Sequence, residues 1–318
     1  MNILITGVAG FIGSHLCREL LFRNNFVVGI DNFDPSYEKE NKLLNIKDII
    51  DNPNFVFHEL DICDDLSVLF KYQIAIVIHL AAKVGVSNSV HAADSYLSVN
   101  INGTLNVLTF MRNANCSKIV FASSSSVYGN SKLNLLTEDH PANQPCSPYA
   151  MSKEACELLL YSYHHLYKID SICLRLFSVY GPNQRPDLVI SKFSSQIKKN
   201  FPVTVYGEGD SSRDYTYITD IVDGIIHAVE FLKKRKRIYE IINIGSNSPV
   251  NILELIDKLY QLFQLPPQII YVDPKKEDML MTNADISKAE RILKFRPKVN
   301  FDDGLRQFYE WFISNDNE

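Results

Sequence analysis

No Cys-x-x-Cys pair occurs in this sequence, and its six cysteines follow no regular spacing. Several of them lie in apolar runs, so we expect reduced thiols in the core rather than disulfides. The adjacent residues His164 and His165 lack cysteine or carboxylate companions at ligand spacing. This pattern predicts an exposed helix surface rather than a metal site.

Long apolar runs and an excess of one charge are also missing. No apolar run reaches about 18 residues, so we expect no membrane-spanning helix. The net charge of -5 and the pI of about 5.9 do not indicate a nucleic-acid partner. The basic run at 233–237 follows a helical stretch, which is typical of a solvated helix end. The first residues predict a strand and its turn rather than a signal peptide, and we expect a cytoplasmic protein.

The sequence does contain an alternation of short apolar runs and helical stretches. β-branched runs predict buried strands at Ile3–Ile5, Phe26–Ile30, Phe55–Phe57, Ile74–Leu80, Ile119–Ala122, Ile172–Leu176 and Ile241–Ile244. Helical periodicity covers 11–23, 64–72, 94–113, 148–168 and the stretch near 218–232. Strands that alternate with helices imply right-handed crossovers and a parallel sheet. We therefore predict an α/β fold, a Rossmann-type doubly wound parallel sheet with a smaller helix-rich C-terminal lobe.

The first predicted strand ends in a glycine-rich turn that contains Gly7, Gly10 and Gly13. Small residues let the backbone approach a pyrophosphate, and the helix that follows offers free N–H donors and a partial positive charge. The spacing differs from the commoner Gly-x-Gly-x-x-Gly. The turn still predicts a dinucleotide site, because it follows a strand and opens a helix.

Two acids follow the next strands. Asp31 closes the second strand, where a carboxylate accepts hydrogen bonds from both adenosine ribose hydroxyls and repels a 2′-phosphate. This favours NAD over NADP; the alternative is an acid that caps the turn at Asn32. Asp61, after the third strand, either receives the adenine amino group or caps the helix predicted at 64–72.

Tyr149 and Lys153 are four residues apart within a predicted helix, so their side chains share one face. A nearby opposite charge lowers a pKa by roughly 1–3 units, and the ammonium of Lys153 should therefore favour the phenolate of Tyr149. That predicts a tyrosine base at neutral pH. Tyr-x-x-x-Lys alone also occurs by chance in amphipathic helices, so the hypothesis depends on the glycine turn and the serines at 123–126.

Several motifs, taken in order, resemble one known family over essentially the whole chain. They are Thr6–Gly13, Asp61-Ile62, His79–Ala82, Asn100–Thr104, Ser123–Gly129, Tyr149–Lys153, Ser212–Thr216 and Thr282–Lys288. The chain resembles the extended short-chain dehydrogenases, in their nucleotide-sugar epimerase and dehydratase branch. The resemblance implies an NAD-dependent enzyme. The cofactor contacts it implies are Gly7, Gly10, Phe11, Ile12, Gly13, Asp31, Asn32, Asp61, Ile62, Leu80, Ala81, Ala82, Lys83, Asn100, Tyr149 and Lys153. Lys83 either contacts cofactor phosphates or is a solvated loop residue.

The resemblance also implies a triad hydroxyl about 25 positions before the tyrosine, which is Ser124; Ser125 or Ser126 can share this role. The similar 4,6-dehydratases carry an Asp-Glu pair directly after this residue, and the decarboxylases carry a Glu two positions on. Both places are serine here, so elimination lacks a second proton carrier. The implied reaction is 4-epimerisation. Tyr149 takes the proton of the sugar 4′-hydroxyl, NAD accepts a hydride, and the 4-keto sugar turns before the hydride returns.

The implied substrate is a UDP-sugar. Arg213 matches the diphosphate-binding arginine of the family, although a structural salt bridge is the alternative, and Asp278 matches an acid at the uridine. Ser178 and Arg185 match the glucuronate 4-epimerases and suit the 6-carboxylate of glucuronate. That subgroup usually has Gly-Val-Arg where this chain has Gly85-Val-Ser. UDP-glucose and UDP-N-acetylglucosamine therefore stay open as alternative substrates.

The domain organisation follows from the same resemblance. We expect an NAD-binding Rossmann domain at 1–177, with 214–247 packed back onto it, and a nucleotide-sugar-binding lobe at 178–213 and 248–318. The helices at 94–113 and 148–168 imply a homodimer. A non-catalytic NAD-binding regulator on the same fold is the alternative from another class. It has no need of Ser124, Tyr149 and Lys153 together.

Overall fold

The computed structural model describes residues 1–131, 133–274 and 279–315. In chain order, the strands are β1 (Asn2–Thr6), β2 (Phe26–Asp31), β3 (Phe55–Glu59), β4 (Ile76–His79), β5 (Lys118–Ser124), β6 (Asp170–Leu176), β7 (Ser178–Tyr180), β8 (Val203–Tyr206), β9 (Ser212–Tyr217), β10 (Tyr239–Ile244), β11 (Pro249–Asn251) and β12 (Ile269–Val272). The α-helices are α1 (Phe11–Phe22), α2 (Lys39–Ile46), α3 (Val86–His91), α4 (Ala93–Tyr96), α5 (Gly103–Asn113), α6 (Pro148–Tyr167), α7 (Val189–Lys198), α8 (Ile218–Lys234), α9 (Ile252–Phe263), α10 (Ser287–Leu293) and α11 (Phe301–Asn315). Short 3₁₀ helices lie at Ser67–Tyr72 and Ser125–Tyr128, and a π-helical turn at Leu97–Asn102 joins α4 to α5.

Seven parallel strands form the central sheet in the order β10-β6-β5-β4-β1-β2-β3. The order reverses between β1 and β4, as in doubly wound nucleotide-binding folds, where ligands bind beyond the carboxyl ends of the strands. The predicted Rossmann-type sheet is confirmed. The three helices of the tail, α9, α10 and α11, fit the predicted helix-rich lobe.

Apolar cores cover both faces of the sheet because successive strand side chains point to opposite faces. In β1, Ile3 and Ile5 pack into the core with α1 and α8, whereas Leu4 packs into the core with α5 and α6. The strands therefore read as continuous apolar runs, as expected for a parallel sheet buried on both faces.

The helix that carries the tyrosine and lysine has clear ends. Ser147 precedes α6, and its side chain accepts a hydrogen bond of 3.1 Å from the backbone N–H of Ala150. Pro148 occupies the first turn, where no intrahelical N–H is needed. Lys168 ends the helix in the left-handed conformation. The boundaries of α6 agree with the predicted stretch 148–168.

Other boundaries differ from the sequence predictions. The helix predicted at 64–72 is a 3₁₀ helix that begins only at Ser67, and Asp65 accepts a hydrogen bond from the backbone N–H of Ser67. The strand predicted at 74–80 is β4, which is shorter at both ends. The helix predicted at 94–113 contains the π-helical turn at its centre.

Two smaller sheets stand beside the main one. Strand β9 pairs with β7 and β11, and β12 pairs with β8. Strand β7 follows β6 after a single residue, so the chain leaves the carboxyl end of the main sheet directly into the second sheet. This connection places residues of the second sheet next to the strand ends of the first.

Within the described ranges, no helix is both long and apolar enough to cross a membrane. The same part of the chain contains no group of three or more His, Cys, Asp or Glu side chains arranged to hold a metal ion. His164 and His165 lie in the last turn of α6, and the Nδ1 atom of His164 is 3.0 Å from the backbone oxygen of Ile169.

Candidate active site

A cavity of about 470 Å³ lies at the carboxyl ends of the parallel strands. The predicted cofactor contacts on its wall are Gly7, Gly10, Phe11, Ile12, Gly13, Asp31, Asn32, Asp61, Ile62, Leu80, Ala81, Ala82, Lys83, Tyr149 and Lys153. The predicted triad and substrate residues on its wall are Ser124, Ser125, Ser126, Ser178, Arg185 and Arg213. The fold therefore brings residues from distant parts of the chain to one cavity.

The glycine turn lies between β1 and the N-terminus of α1. Gly7 has φ +75°, and a Cβ atom there would lie 2.9 Å from the backbone nitrogen of Ala81. A Cβ atom on Gly13 would lie 2.1 Å from the carbonyl oxygen of Gly7. Only glycine fits these positions, because Gly7 packs on the loop after β4 and Gly13 packs on the backbone of the turn itself. The N-terminus of α1 is thereby exposed to the cavity and can accept an anionic group.

Asp31 ends β2 and supports the same turn. Its carboxylate accepts hydrogen bonds from the backbone N–H of Ala9 at 3.1 Å and from that of Phe33 at 2.9 Å. Burial raises the pKa of Asp31, while these two hydrogen bonds and the charge of Lys42 oppose the rise. The carboxylate contacts the turn at Phe33 rather than at Asn32, and it also lies on the cavity wall.

Asp61 does not cap a helix, so that alternative is wrong. Its carboxylate accepts hydrogen bonds from the side chain of Asn32 at 2.7 Å and from the backbone N–H of Cys63 at 2.8 Å. The following helix begins six residues later, at Ser67. Asp61 and Asn32 thus form one polar rim at the β2–β3 side of the cavity.

The predicted triad is assembled where β5 meets α6. Ser124 is the last residue of β5, and it lowers the pKa of Tyr149 against the effect of burial. The hydroxyl of Ser124 also lies 3.0 Å from that of Ser126 and accepts a hydrogen bond from the backbone N–H of Ser126. The role of Ser124 as the triad hydroxyl stays a prediction. Lys153 is buried, and its ammonium donates a hydrogen bond of 2.8 Å to the carbonyl oxygen of Ala122.

The sequence predicts a lowered pKa for Tyr149, and here the structure corrects it. Burial raises the pKa of Tyr149, and Ser124 and the charge of Arg185 only partly offset the rise. Burial also lowers the pKa of Lys153 to about 8, although Cys156 and Glu157 oppose this change. Desolvation of both groups is the reason for the difference, since the four-residue spacing gives no measure of burial.

The loop after β4 is held by threonine and asparagine side chains. The hydroxyl of Thr6 accepts a hydrogen bond of 3.1 Å from the backbone N–H of Ala81. Asn100 is buried behind the wall, where its side chain accepts from the N–H of Lys83 at 2.7 Å and donates to the carbonyl of Lys83 at 3.0 Å. Asn100 is not among the described residues that line the cavity, and its predicted cofactor contact stays a prediction. Asn100 orders the loop that lines the cavity.

The side chain of Lys83 points to an acid rather than to bulk solvent. Its ammonium lies 3.2 Å from a carboxylate oxygen of Asp34. Both residues line the cavity. Lys83 therefore supplies a cation to the wall, and its contact with the cofactor phosphates stays a prediction.

The second sheet supplies the opposite wall. Arg185 forms a two-point ion pair with Asp187, with N–O distances of 2.9 and 2.7 Å. Arg213, in β9, donates hydrogen bonds from Nη1 to the carbonyl oxygens of Ser212 at 3.0 Å and Leu280 at 3.3 Å. Ser178 is half-buried at the start of β7. The predicted residue Asp278 lies outside the described residues.

A further cation, which is not among the predicted residues, lies at the cavity. Lys42, in α2, is buried and donates a hydrogen bond of 2.6 Å to the carbonyl oxygen of Asp34. Its ammonium also lies 4.7 Å from the ring centre of Tyr37, and burial lowers its pKa. A single lysine in a polar helix gives no sequence signal. Further unpredicted wall residues are Ser36, Val84, Leu188, Met279 and Thr282.

The fold and this cavity define a nucleotide-binding α/β protein with a tyrosine, a serine and a lysine at the reacting end. The model of the GDP-mannose 4,6 dehydratase family matches residues 4–308, and the chain belongs to that family. This assignment confirms the resemblance to the short-chain dehydrogenase branch that the motifs indicate.

Relatives and solved structures match over nearly the whole chain. A UDP-glucuronate 4-epimerase of Thermodesulfobacterium geofontis is 38% identical over 98% of this chain and 96% of its own length. The crystal structure of a UDP-glucuronic acid 4-epimerase from Bacillus cereus, with UDP-glucuronic acid and NAD, is 37% identical with a TM-score of 0.94, over 99% of this chain and 100% of that one. A UDP-glucose 4-epimerase from Thermotoga maritima, with UDP-glucose, is 30% identical with a TM-score of 0.90, over 99% of both chains.

Proposed function

We propose that this protein is an NAD-dependent 4-epimerase that interconverts UDP-glucuronate and UDP-galacturonate. The observation that carries the proposal is that Ser124, Tyr149 and Arg185 line one cavity, in which Ser124 and the charge of Arg185 both favour the phenolate of Tyr149. The similar enzymes from Thermodesulfobacterium and Bacillus support the same reaction and the same sugar.

The residues of the cavity fit a dinucleotide. The glycine turn leaves space for a pyrophosphate at the N-terminus of α1, and Asp31 lies at the end of the neighbouring strand. We assign the pyrophosphate to Gly10–Gly13, the adenosine ribose to Asp31, and the nicotinamide ribose to Lys153. When bound, NAD supplies the redox chemistry by accepting a hydride from the sugar carbon and returning it.

Tyr149 is the proposed proton carrier. As phenolate it takes the proton of the 4′-hydroxyl, and it returns this proton after the sugar has presented its other face. Because burial favours the neutral phenol, the base form depends on the groups that stabilise negative charge on its oxygen. Ser124 and the charge of Arg185 do so. Ser124 also lies where it can stabilise charge that develops on the sugar oxygen.

Dehydration is not supported, although the family takes its name from a dehydratase. Water removal needs a second acid–base group next to the triad hydroxyl. Here Ser125 and Ser126 follow Ser124 in the 3₁₀ helix, and both line the cavity. A hydroxyl with an ordinary pKa cannot carry a proton in the way a carboxylic acid does. We infer that these serines bind the sugar.

Arg185 is the proposed ligand of the 6-carboxylate. The ion pair with Asp187 uses Nε and Nη2, so the other edge of the guanidinium, formed by Nη1 and Nη2, can accept a second carboxylate. Ser178 lines the same cavity and offers a hydroxyl. A fork of N–H donors and a hydroxyl suit a carboxylate better than a hydroxymethyl group.

One observation favours a neutral hexose as the alternative substrate. Asp187 already neutralises Arg185, so a sugar without a carboxylate does not leave the guanidinium unpaired. UDP-glucose or UDP-N-acetylglucosamine 4-epimerisation is therefore the second candidate. The similar UDP-glucose 4-epimerase from Thermotoga supports it.

Purified protein incubated with UDP-glucuronate, without added cofactor, tests the proposal. We expect UDP-galacturonate to appear and the mixture to reach the same composition from either sugar, as measured by chromatography of the nucleotide sugars. Conversion of UDP-glucose or UDP-N-acetylglucosamine with no conversion of UDP-glucuronate would establish the second candidate instead.

The remaining expectations are proposals about organisation. We assign 1–177 and 214–247 to the NAD-binding domain, and 178–213 and 248–318 to the nucleotide-sugar lobe. Arg213 lies in the second sheet, where it can bind the diphosphate. All six cysteines are free thiols, which fits a reducing compartment, and we propose the cytoplasm.

We further propose a homodimer that forms through α5 and α6. Both helices expose apolar side chains, namely Leu105, Leu158, Tyr161 and Leu166. Exposed apolar side chains on adjacent helices favour association. Leu158→Glu should shift the protein to a monomer in sedimentation equilibrium, whereas Lys168→Glu at the end of α6 should not.

A further inference from the structure

A buried ion pair lies beneath the catalytic end of β5. Arg175 in β6 donates from Nε to Oε1 of Glu157 at 3.0 Å and from Nη2 to Oε2 at 2.8 Å. Both side chains are only 4% exposed. The Nη1 atom of Arg175 has no hydrogen-bond partner among the described residues, and its guanidinium lies 4.7 Å from the ring centre of Tyr128.

Such a pair is a poor means of stabilising a fold. Removing both charges from water costs free energy that their attraction often fails to recover, and an unpartnered buried N–H adds to this cost. A pair of well-packed apolar side chains would serve stability as well or better. The position of the pair, next to the reacting groups, suggests another use.

Glu157 connects the two elements that carry the triad. It lies four residues after Lys153 and eight after Tyr149, on the same side of α6. Its Oε1 atom also accepts a hydrogen bond from the hydroxyl of Ser123, which directly precedes Ser124. Arg175 holds the same carboxylate from β6, where it is the register partner of Ser123. One carboxylate thus fixes the end of β5 against α6.

The charge of Glu157 also acts on Lys153. The groups that act on the ammonium are Cys156 and Glu157 from its own helix and His79 from β4. Of these, Glu157 is a carboxylate, and it raises the pKa of Lys153 against the effect of burial. His79 is held neutral, since burial lowers its pKa to about 3. The ion pair therefore influences both the placement and the charge of the triad.

We propose that Glu157 and Arg175 are positioning residues of the epimerase, which hold Ser124 and Lys153 in the arrangement that Tyr149 needs. This inference rests on the proposed function. It adds residues that touch neither the sugar nor the dinucleotide and act through Ser123, Ser124 and Lys153.

Glu157→Gln is the principal test, and Glu154→Gln is its matched control. The control makes the same chemical change three residues earlier in α6, outside the hydrogen-bonded network. We expect Glu157→Gln to lower kcat by at least about 10-fold with little change in KM, because small displacements of catalytic groups cost up to about 100-fold. In a plot of kcat against pH, we expect the alkaline limb to shift to lower pH by about one unit or more. Without the negative charge of Glu157, the ammonium of Lys153 loses its proton more readily. Glu154→Gln should match the wild type in both.

A second readout requires no turnover. Lys153 is the proposed ligand of the nicotinamide ribose, so the affinity for NAD should fall at alkaline pH, and this fall should begin at lower pH in Glu157→Gln. The amount of NAD that the purified protein retains after dialysis at each pH from 6 to 9 measures it. A wild type that binds NAD with this pH dependence but converts no UDP-sugar would refute the proposed function and leave the positioning role intact.

If Glu157→Gln does not fold, Ser123→Ala tests the positioning role instead. It removes one hydrogen bond and keeps the ion pair, so we expect an unchanged melting temperature with a several-fold loss of kcat. Glu157→Gln could instead melt at a lower temperature but keep the wild-type kcat and the wild-type dependence of kcat on pH. That result would show that the Glu157–Arg175 pair only stabilises the fold, and it would overturn the inference. If Glu157→Gln fails to fold, wild-type kcat in Ser123→Ala would overturn it equally.

Discussion

The wall formed by the ends of β1, β2, β4 and β5 differs in chemistry from the wall formed by β7, β9 and residues 279–282. The first wall consists mainly of glycine, alanine and serine, with Asp31 at one end and Lys153 at the other. The second wall presents the guanidinium groups of Arg185 and Arg213. A wall of small residues suits the backbone contacts of a dinucleotide. Guanidinium groups, with their paired N–H donors, suit the anionic groups of a nucleotide sugar. The residues proposed for the cofactor and the proton transfer thus lie on the first wall, whereas the two arginines proposed for the substrate lie on the second.

The largest expected effect belongs to the first wall. Tyr149→Phe should lower kcat by about 10³-fold, because the proton carrier is lost, while bound NAD stays near the wild-type content. Nucleotide released on denaturation measures the NAD. Tyr96→Phe is the matched control: its ring lies 6.3 Å from that of Tyr149, and its hydroxyl donates to the carbonyl of Val84. A Tyr149→Phe enzyme with near-normal turnover would remove Tyr149 from the mechanism.

The second wall should control which sugar is used. Arg185→Ala should lower kcat/KM for UDP-glucuronate by about 100-fold, since hydrogen bonds to charged groups contribute roughly 1.5–3 kcal/mol. The loss for UDP-glucose should be smaller, and it reports the effect of Arg185 on the pKa of Tyr149. Arg213→Ala is the comparison variant, because a diphosphate contact is common to both sugars. Equal losses for both sugars in Arg185→Ala would refute the carboxylate role.

Asp31 provides a test of dinucleotide choice on the first wall. Asp31→Ser should weaken NAD binding by about 10-fold, in line with the loss of a charged hydrogen-bond acceptor, and should improve the relative affinity for NADP. Calorimetric titration with both dinucleotides gives the ratio. Asp61→Ser should weaken NAD without favouring NADP. If Asp31→Ser leaves the ratio unchanged, Asp31 serves the turn at Ala9 and not the ribose.

A smaller effect concerns the stability of the first wall in acid. His79 is buried between the hydroxyls of Thr6 and Thr104, at 2.6 and 3.0 Å, and burial lowers its pKa from 6.5 to about 3. A histidine whose pKa is lowered on folding contributes stability above pH 6.5, and this contribution is lost as the pH falls towards 3. The free energy of unfolding should therefore fall by up to ~1.4 kcal/mol per pH unit in that window. In His79→Gln, the free energy of unfolding measured with urea should depend less steeply on pH. His165→Gln, which changes an exposed histidine of α6, should follow the wild type.

The sequence predicts the first wall well and the second only in part. Continuous apolar runs identify β1 and its neighbours because a parallel sheet is buried on both faces. The glycine turn and Asp31 are local in sequence, and so is the pair Tyr149 and Lys153. Ser178, Arg185 and Arg213 are found only through the family resemblance, since isolated serines and arginines form no periodic pattern. Strands β7 and β11 have three residues each and β8 has four, so none of them contains a long apolar run.

The sequence does not show how deeply a side chain is buried. The spacing of Tyr149 and Lys153 gives their shared face, but only packing shows that burial is the largest influence on the pKa of each. Lys42 is missed because its burial depends on the fold of α2 over Asp34. The apolar residues of 64–72 suggest a full helix, yet the helical segment begins at Ser67 with a 3₁₀ turn.

The π-helical turn Leu97–Asn102 has a mechanical consequence for the long helical segment that it interrupts. Such a turn accommodates one extra residue without breaking the helix, and it commonly marks a functional position. Here it aims the amide of Asn100 at the backbone of Lys83 and at the hydroxyl of Ser152, 2.8 Å away. Deleting a single residue within it would restore ordinary helical winding and move Asn100 away from its present direction, since neighbouring residues of an α-helix point about 100° apart. The amide could then no longer reach its partners, so the loop at Lys83 would lose these hydrogen bonds while the sheet beneath it stayed folded.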